Sequence, residues 1–342
     1  MTQMKDELRH AQGRYEAPSD SLARFLRRNE RARNSRRLGA VVVALTIGLA
    51  AVGAVLGSLG EGVSSTTTPG SDDPKSAAVH RPARIVFSRW DEGRWHLFSV
   101  SPDGSDERQL THGSRDYYAD ISPDGTKIVA STELPGTNGL LVMNVDGTDQ
   151  VTFPVGYAID AAWSPDGSRI AFSLDSGGDD CCLGLWIMNA DGSGLARLGD
   201  EGGYGPTWSP DGSKIAFVLS GDGLEDATRI AIMNSDGSGV TPISDPEWWG
   251  APDWSPDGSS ILTSLDVGAT RGDLVTIAVD GGEVRVIAQL RLWQFGGASW
   301  SPDGTRIAYV SGEDGVWVID ADGSNAHRIT EPGDNVENPT WG

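Results

Sequence analysis

The chain has 342 residues, with 45 glycines, 12 tryptophans and a formal net charge of −21. The charge is uneven, because residues 1–37 carry a net +5 whereas residues 61–342 carry −26. A surface this acidic repels phosphate backbones and argues against DNA or RNA as a partner; solubility is its simplest explanation. The glycine and tryptophan content favours a turn-rich β-protein over a helical one.

An uncharged segment near the N-terminus predicts a membrane anchor. Residues 38–60 contain 23 residues without a charge, which as a helix span about 35 Å, enough for a hydrocarbon core of about 30 Å. Seven arginines between Arg24 and Arg37 precede the segment, and Glu61 follows it. The positive-inside rule then predicts a cytoplasmic N-terminus and an extracytoplasmic C-terminus at the cell membrane, in a single-pass topology. A cleaved signal peptide is the alternative, and it fits less well because the basic leader and the apolar run are both long.

Two polar segments flank this predicted transmembrane helix. Residues 1–37 form a basic cytoplasmic tail, in which Ser19 or Asp20 could cap a short helix. Its arginines could contact anionic lipid headgroups or dock a cytoplasmic partner, and both readings stay open. Residues 61–83 are rich in Ser, Thr, Gly and Pro and predict a flexible linker.

A repeat fills the rest of the chain, residues 84–342. Its first phrase, W-S-P-D-G or I-S-P-D-G followed by an apolar strand, begins at Ile121, Trp163, Trp208, Trp254 and Trp300. These starts are 42, 45, 46 and 46 residues apart. Its second phrase, an apolar strand that ends in Asp-Gly, has six copies, which end at Gly104, Gly147, Gly192, Gly237, Gly281 and Gly323. A fixed period of about 40–45 residues is typical of β-propellers.

Each repeat predicts four short strands, A to D. In one unit, strand A runs into Trp163, Ser164–Gly167 forms a turn, and strands B, C and D are Arg169–Leu174, Leu185–Asn189 and Leu195–Leu198. Pro presets φ in such a turn and Gly accepts a positive φ, while the Asp-Gly before strand D favours a tight hairpin. Four strands per repeat correspond to one propeller blade.

The two ends of the repeat region are complementary. The first copy, residues 84–112, lacks strand A, and the last copy stops after strand A at residues 338–342. The sequence therefore predicts an all-β, six-bladed propeller in which the C-terminal strand closes the N-terminal blade. Closure would remove an open sheet edge, which is otherwise prone to aggregation.

The W-S-P-D-G and M-N-x-D-G-S-G phrases resemble the repeats of the TolB-type propeller family, with related blades in prolyl-oligopeptidase-like and tricorn-type peptidases. The resemblance covers residues 84–342 and is specific for the fold rather than for a function. This sequence departs from TolB in two expected respects. We predict no additional folded domain ahead of the propeller, and a helical tether in place of a free secreted form.

Sequence motifs for catalysis and metal binding are missing, so we expect no enzymatic activity, no cofactor and no metal site. No G-x-S-x-G or H-E-x-x-H motif occurs, no phosphate-binding glycine loop occurs, and the five histidines are dispersed. Residues 144–149 faintly resemble a calcium loop, but they lack its spacing and terminal Glu, and a hairpin explains them. We expect the tryptophans of the W-S-P-D-G phrases to pack between blades.

Cys181 and Cys182 are the two cysteines of the chain and are adjacent. In an oxidising compartment they could form a strained vicinal disulfide, which would mark a functional loop, or pair across molecules. The alternative is a pair of inert thiols. Zinc is not expected here, because it requires about four ligands.

A propeller has two chemically different ends. The A–B and C–D turns share one end, here called the turn end, and the D–A and B–C loops share the other, here called the mouth end. Irregular loops on a rigid scaffold usually carry binding. The mouth end is predicted to carry these ligand-binding candidates: Tyr117, Tyr118, Asp120, Tyr157, Asp160, Tyr204, Trp248, Trp249, Asp253, Trp293, Phe295 and Glu337. Packing between blades is the alternative role for the aromatic rings, and the sequence leaves the two equally open.

Three functions remain compatible with the sequence. The first is a membrane-tethered extracytoplasmic module that binds a protein, peptide or glycan at the channel mouth. The second is a transmembrane signalling protein with a propeller sensor and a reporting cytoplasmic tail. The third is a propeller hydrolase or lyase that uses acids in the central channel. Fold alone does not choose among them.

Overall fold

The computed structural model describes residues 83–113, 115–174, 183–220, 228–247, 249–266, 272–290, 297–311, 315–333 and 335–342. Within these ranges the chain forms strands and turns without a helix, so the predicted all-β class is confirmed. The predicted tail 1–37, transmembrane segment 38–60 and almost all of the linker 61–83 lie outside the described residues. Among the residues described, none belongs to a helix with the length and apolarity that a bilayer crossing requires.

Sheet 1 joins the two ends of the described chain. Its strands, in the order β23-β1-β2-β3, are β1 (Ile85–Asp91), β2 (Arg94–Val100), β3 (Arg108–Gln109) and β23 (Val336–Trp341). Ile85 pairs with Trp341, and the Arg84 N–H donates to the Gly342 carbonyl at 2.7 Å. The first strand is therefore flanked by the second strand and by the last one.

The other sheets follow in chain order. Sheet 2 contains β4 (Arg115–Ile121), β5 (Lys127–Leu134), β6 (Thr137–Asn144) and β7 (Val151–Phe153). Sheet 5 contains β15 (Asp253–Trp254), β16 (Ser260–Asp266), β17 (Gly272–Ala278) and β18 (Val284–Leu290). Sheet 6 contains β19 (Ala298–Trp300), β20 (Arg306–Val310), β21 (Val316–Asp320) and β22 (His327–Arg328). Neighbouring strands in each sheet are antiparallel.

Sheets 3 and 4 share one long strand. Sheet 3 contains β8 (Ala158–Trp163), β9 (Arg169–Leu174), β10 (Gly184–Asn189) and the start of β11 (Ala196–Trp208). Sheet 4 contains the end of β11, β12 (Lys214–Leu219), β13 (Arg229–Asn234) and β14 (Thr241–Pro242). The prediction that strand D ends at Leu198 is therefore wrong. Gly202 pairs with β10 and Gly203 with β12, so the glycine-rich connection runs extended from one sheet into the next.

The W-S-P-D-G phrase forms the predicted turn between the first two strands of a sheet. In sheet 3, the Gly167 N–H donates to the Ser164 carbonyl at 2.8 Å, and Gly167 has a φ of 68°. One oxygen of Asp166 accepts the Ser164 hydroxyl at 2.7 Å and the Ser168 N–H at 3.0 Å. The Asp166 carboxylate accepts hydrogen bonds from turn groups that have no other acceptor within the turn. This explains why Asp rather than another polar residue precedes the glycine.

Apolar clusters fill the interfaces between consecutive sheets, and the aromatic that ends each first strand lies in them. Trp163 packs with Val129 and Val142 of sheet 2. Trp341 packs with Ala308 and Val318 of sheet 6, so sheet 6 contacts sheet 1 in the same way. The corresponding aromatics of the other interfaces are Trp208, Trp254 and Trp300. The prediction that these tryptophans pack between sheets is confirmed, and each such side chain stabilises the fold by roughly 2–3 kcal/mol through burial.

The C–D hairpins also touch the neighbouring sheet, and glycine is required where they do. A Cβ at Gly147, where φ is 86°, would lie 2.7 Å from the carbonyl oxygen of Leu110. At Gly104 the same atom would lie 2.9 Å from the carbonyl oxygen of Ile329. These contacts join sheet 2 to sheet 1 and sheet 1 to the segment after β22.

Removal of Glu337–Gly342 is expected to destabilise the whole β-domain, because β1 loses its β23 ladder and Trp341 leaves the interface with sheet 6. Loss of one buried tryptophan costs about 3–5 kcal/mol, so the melting temperature should fall by roughly 10 °C or more. Circular dichroism of the full chain measures it. Trp90→Ala is the control, because this ring is 38% exposed. An unchanged melting temperature after the deletion would contradict the role of β23.

Candidate functional site

The candidate site is built on the first strand of each sheet. The strands β23, β4, β8, the end of β11, β15 and β19 contact one another in sequence around the domain. They are called the inner strands below. Because consecutive inner strands touch, their side chains line a shared central channel, which places the mouth-end residues of different sheets near one another.

A backbone irregularity recurs in five of the six sheets, three residues before the aromatic or Ile that ends the inner strand. At this position Tyr118 has a φ of 53°, Asp160 of 54° and Asn338 of 51°. Gly205 and Gly297 occupy the same position with φ of 65° and 67°. The strand pairing breaks at this point in β4 and β8, as in a β-bulge. A bulge re-aims the side chains that flank it and is common at functional sites.

The bulge has a conformational cost where the residue is not glycine. A left-handed backbone costs about 1–2 kcal/mol for a residue with a Cβ, and a tyrosine at positive φ is unusual. Tyr118 and Asp160 are nevertheless held there, while two other sheets use glycine. The offset of Gly205 and Gly297 from their tryptophans was a sequence signal for this position.

Two of the three acids of the inner strands accept hydrogen bonds from neighbouring sheets. One oxygen of Asp120 accepts the Trp163 N–H at 2.8 Å, and the other accepts the Thr340 hydroxyl at 3.2 Å. Asp253 accepts the Trp300 N–H at 2.7 Å, whereas the Gly205 N–H near the third acid, Asp160, donates to the Ser173 hydroxyl oxygen at 3.0 Å. The Asp120 and Asp253 carboxylates tie inner strands together, in addition to any contact with a ligand.

Burial raises the pKa of all three acids. The pKa of Asp120 rises to about 6, and those of Asp160 and Asp253 rise to about 7. The accepted hydrogen bonds oppose the effect of burial, and the charge of Asp120 adds to it at Asp253. The negative charge of Asp120 therefore disfavours ionisation of Asp253. The three acids change protonation near neutral pH.

A tyrosine cluster lies at the mouth end. The Tyr117 hydroxyl donates to Glu133 at 2.6 Å, and its ring meets the Tyr118 ring edge-on at 5.2 Å between centroids. The Tyr157 hydroxyl lies within hydrogen-bonding reach of Tyr117. Tyr204 donates to the Trp249 carbonyl at 3.3 Å. The cluster therefore joins side chains from sheets 2, 3 and 4.

Two carboxylates lie close to the cluster. The pKa of Tyr118 is raised well above its ordinary value by burial first, then by the charges of Asp160 and Glu337. Burial likewise raises the pKa of Tyr204, with Asp160 again contributing. The hydroxyls are consequently neutral donors at physiological pH.

The structure brings some predicted site residues together and separates others. Tyr117, Tyr118, Tyr157, Asp160, Tyr204 and Glu337 form the cluster just described. Asp120 and Asp253 lie in the walls as inter-sheet ties. Trp248, Trp293, Phe295, Cys181 and Cys182 lie outside the described residues.

The Trp249 side chain is buried between sheets rather than exposed at the mouth end. Its side chain is 4% exposed and packs with Trp254 and Ile230. Its Nε1 donates to the Asp245 carbonyl at 3.0 Å. A β-bridge to Leu265 draws it into the interface between sheets 4 and 5. The expectation that Trp249 offers a stacking surface to a ligand is therefore wrong.

Sequence reasoning missed two features of the mouth end. Glu133 accepts the Tyr117 hydroxyl and also lies 3.5 Å from Arg115. Trp90, which meets Trp95 edge-on at 5.5 Å, is 38% exposed in the hairpin between β1 and β2. The alternation W-D-E-G-R-W around this hairpin is a signal that two rings share one face. No group of three or more His, Cys, Asp or Glu side chains in the described ranges is arranged to hold a metal ion.

Four-stranded antiparallel sheets packed side by side around a channel define the class of protein, a β-propeller. A family model for the TolB beta propeller domain matches residues 148–342. The chain therefore belongs to the TolB beta propeller domain family. The resemblance seen in the sequence is confirmed.

Individual relatives agree with this assignment. A 74-residue segment is 32% identical to Tol-Pal system protein TolB 1 of Novosphingobium aromaticivorans, over 20% of this chain and 16% of that protein. The crystal structure of TolB from Acinetobacter baumannii superposes with a TM-score of 0.66 at 16% identity, covering 76% of this chain and 66% of that one. A TolB candidate from Agrobacterium tumefaciens gives a TM-score of 0.58 at 20% identity, covering 76% and 92%. The chain thus spans under two thirds of the first two relatives, and the structural likeness concerns the fold.

The raised acid pKa values predict an unusual pH profile of stability. A carboxyl whose folded pKa lies above its unfolded value binds more protons when folded, so its contribution is full below about pH 4 and is lost as pH rises through about 6 to 7. Thermal unfolding of the full chain should therefore show stability falling between about pH 4 and pH 7.

Asp253→Asn is expected to remove part of this fall, because the amide oxygen can still accept the Trp300 N–H without a charge. We expect a gain on the order of 1 kcal/mol at pH 7 and little change at pH 4, since one pKa unit corresponds to about 1.4 kcal/mol and channel water reduces the effect. Asp257→Asn is the control, because hydrogen bonds in its turn lower the pKa of that exposed acid. Equal effects of the two substitutions would contradict the assignment.

Proposed function

We propose that the chain is a membrane-tethered, extracytoplasmic six-bladed propeller that binds a peptide or protein segment at its mouth end and has no catalytic activity. The blade count is supported by the inter-sheet clusters, which include one between sheet 6 and sheet 1. The pairing of β23 with β1 supports closure of the N-terminal blade by the C-terminal strand.

The observation that carries this proposal is the tyrosine cluster beside Asp160 and Glu337. Tyrosines give large contact areas at low entropic cost and keep a hydroxyl for hydrogen bonding. The carboxylates favour a cationic or hydroxyl-rich group, and cations also bind well against aromatic faces. The strained backbone of Tyr118 and Asp160 is the kind of local cost that persists where a binding site requires it. A peptide segment fits these features, and a glycan is the alternative ligand.

The comparisons favour a protein partner. The curated relative's name assigns it to the Tol-Pal system, and this chain belongs to the same propeller family. From this relationship we infer only the class of ligand for this chain, which is a segment of another protein. The absence of catalysis is supported by the acids themselves, because Asp120 and Asp253 already accept backbone N–H groups of neighbouring sheets.

The anchor is proposed from the sequence alone. Residues 38–60 are uncharged and the preceding 37 residues are basic. A reporter fused at residue 20 should be active only as a cytoplasmic reporter, and one fused at residue 75 only as an extracytoplasmic reporter. The paired fusions control each other. Recovery of the β-domain as a processed, freely secreted protein would instead support the signal peptide.

The binding site can be tested by photo-crosslinking in cells that express the full chain. A photoreactive phenylalanine analogue at position 157 should form an adduct with one protein, because this partly exposed ring lies in the cluster. The same analogue at Ser193, an exposed residue of the turn end, is the control and should not form that adduct. Mass spectrometry identifies the captured protein.

Asp160→Asn should reduce the position-157 adduct about tenfold, by analogy with the 1–2 kcal/mol that a hydrogen bond to a charged group provides. Trp249→Ala is unsuitable here, since loss of that buried ring is expected to destabilise the fold. An adduct that forms equally at positions 157 and 193 would contradict a mouth-end site. A glycan ligand would yield no protein adduct, together with retention on an immobilised glycan that Asp160→Asn weakens.

A further inference from the structure

A second site lies at the turn end, away from the tyrosine cluster. A groove of ≈ 630 Å³ separates the turns of sheet 2 from those of sheet 3. Val151, Phe153 and Trp163 contribute apolar surface to it. Val151 is 53% exposed. The groove therefore offers a partner apolar contact that the fold itself leaves open.

Two other interfaces show what normally covers the tryptophan at this position. Arg169, which begins β9, lies over the Trp208 ring of sheet 4 with 4.8 Å between the guanidinium carbon and the ring centroid. Arg306, which begins β20, lies over the Trp341 ring at 4.8 Å. In both cases the first residue of strand B in one sheet covers the tryptophan of the next sheet. A guanidinium on an indole is a favourable cation–π arrangement.

The interface between sheets 2 and 3 has lysine in this register. Lys127 begins β5, and its ammonium lies 3.3 Å from the side-chain oxygen of Asn144. Within the described part of the chain no cation lies over the Trp163 ring. Lys214 in sheet 4 donates to the side-chain oxygen of Asn234 at 3.5 Å, so the two lysines at this register make the same hydrogen bond within their own sheets. The groove lies where other interfaces of this protein hold their own arginine.

The groove is lined by more negative than positive charge. Asp124, Asp149 and Asp166 line it, against the single cation of Lys127. In Asp124 and Asp166 one oxygen accepts all three turn hydrogen bonds. Their second oxygens accept no hydrogen bond from any described residue. Hydrogen bonds from Ser164 and Ser168 lower the pKa of Asp166 to about 2, so its charge persists at all physiological pH values.

A buried donor completes the groove lining. Trp163 is 6% exposed, and its Nε1 has no hydrogen-bond partner among the described residues. Buried N–H groups are normally paired, and an unpaired one costs about 1–3 kcal/mol. A backbone carbonyl of a bound segment could accept this N–H. The Nε1 atoms of Trp254, Trp300 and Trp341 also lack a partner among the described residues, so the groove is distinguished from the other interfaces by its volume and its carboxylates rather than by this donor.

We propose that this groove binds an arginine side chain of a partner protein, with its apolar stem against Val151 and Phe153 and its guanidinium between Trp163 and the free oxygens of Asp124 and Asp166. The ligand reproduces from outside the Arg-on-Trp contact that Arg169 and Arg306 make within the chain. Arginine is favoured over lysine because its planar group stacks on rings and donates in a fork that matches carboxylates.

The test uses acetyl-arginine amide as the probe and equilibrium dialysis against the full chain. Acetyl-citrulline amide is the uncharged isostere, and acetyl-lysine amide tests selectivity for the guanidinium. We expect the arginine probe to bind at least tenfold more tightly than the citrulline probe and about threefold or more tightly than the lysine probe. Equal binding of arginine and citrulline would overturn the proposal, and equal binding of arginine and lysine would overturn its guanidinium selectivity.

Substitutions at Lys127 give the sharpest readout, because arginine at that register is already tolerated in sheets 3 and 6. Lys127→Arg should place a guanidinium over Trp163 and reduce probe binding at least fivefold, whereas Lys127→Ala should strengthen it about threefold by removing a like charge. Lys214→Arg and Lys214→Ala change the corresponding lysine of sheet 4, which has the same lysine–asparagine bond, and should change probe binding less than the Lys127 variants do if the groove between sheets 2 and 3 is the main site. Wild-type affinity in Lys127→Arg would show that the groove is not the site.

The role of the Asp166 carboxylate can be tested against an equivalent aspartate in another sheet. Asp166→Asn should weaken the arginine probe about fivefold through loss of charge. Asp211→Asn is the control, since Asp211 makes the same turn bonds to Ser209 and Ser213, at the interface where Arg169 already covers Trp208. If both variants weaken binding equally, the effect is a turn defect and the groove site is wrong. Asp160→Asn distinguishes the turn-end groove from the mouth-end site. This substitution should leave unchanged the binding of the arginine probe that responds to substitution of Lys127.

Discussion

Each sheet of this protein buries the residue that ends its inner strand, Ile121 in sheet 2 and a tryptophan in the other five, against the sheet before it, and this packing underlies every other feature. Trp163 occupies the space offered by sheet 2, and Trp341 occupies the space offered by sheet 6. None of these sheets could cover both of its faces alone. The backbone N–H of the same tryptophan is also the donor to Asp120 or Asp253 of the neighbouring sheet in two interfaces. In these two interfaces one tryptophan therefore supplies both the apolar contact and the hydrogen bond.

The pKa of aspartate shifts in opposite directions at the turn end and in the channel. At the turn end, aspartates accept several short hydrogen bonds in water, and the pKa of Asp166, Asp211 and Asp303 falls to about 2. In the channel, Asp160 and Asp253 are partly buried, and burial raises their pKa to about 7. Charge at the turn end is therefore permanent, and charge in the channel depends on pH. A ligand at the mouth end encounters a site whose protonation its own charge can change.

The sequence was sufficient for the repeat and insufficient for the channel. Strand B of sheet 3 is Arg169–Leu174 as predicted, because alternating apolar residues and a Pro-Asp-Gly turn specify it locally. At Tyr118 the bulge could not be derived from the residue itself, since tyrosine disfavours positive φ; its sequence signal lies only in Gly205 and Gly297 at the matching positions of other sheets. Trp249 was assigned to a loop surface by its position before strand A, but a bridge to Leu265 buries it. The bond from Trp163 to Asp120 joins residues 43 apart, so only the assembled fold reveals it.

The position of β1 has a mechanical consequence. Its first residue pairs with the end of β2 and with Trp341, so the chain enters the domain at the turn end and in the middle of a sheet. If residues 61–83 are a tether and the mouth end holds a partner, tension between membrane and partner runs lengthwise along β1. The ladders to β2 and β23 then share that tension in shear, and their hydrogen bonds must break together rather than one at a time. The strand nearest the tether is thus the one best supported to transmit force.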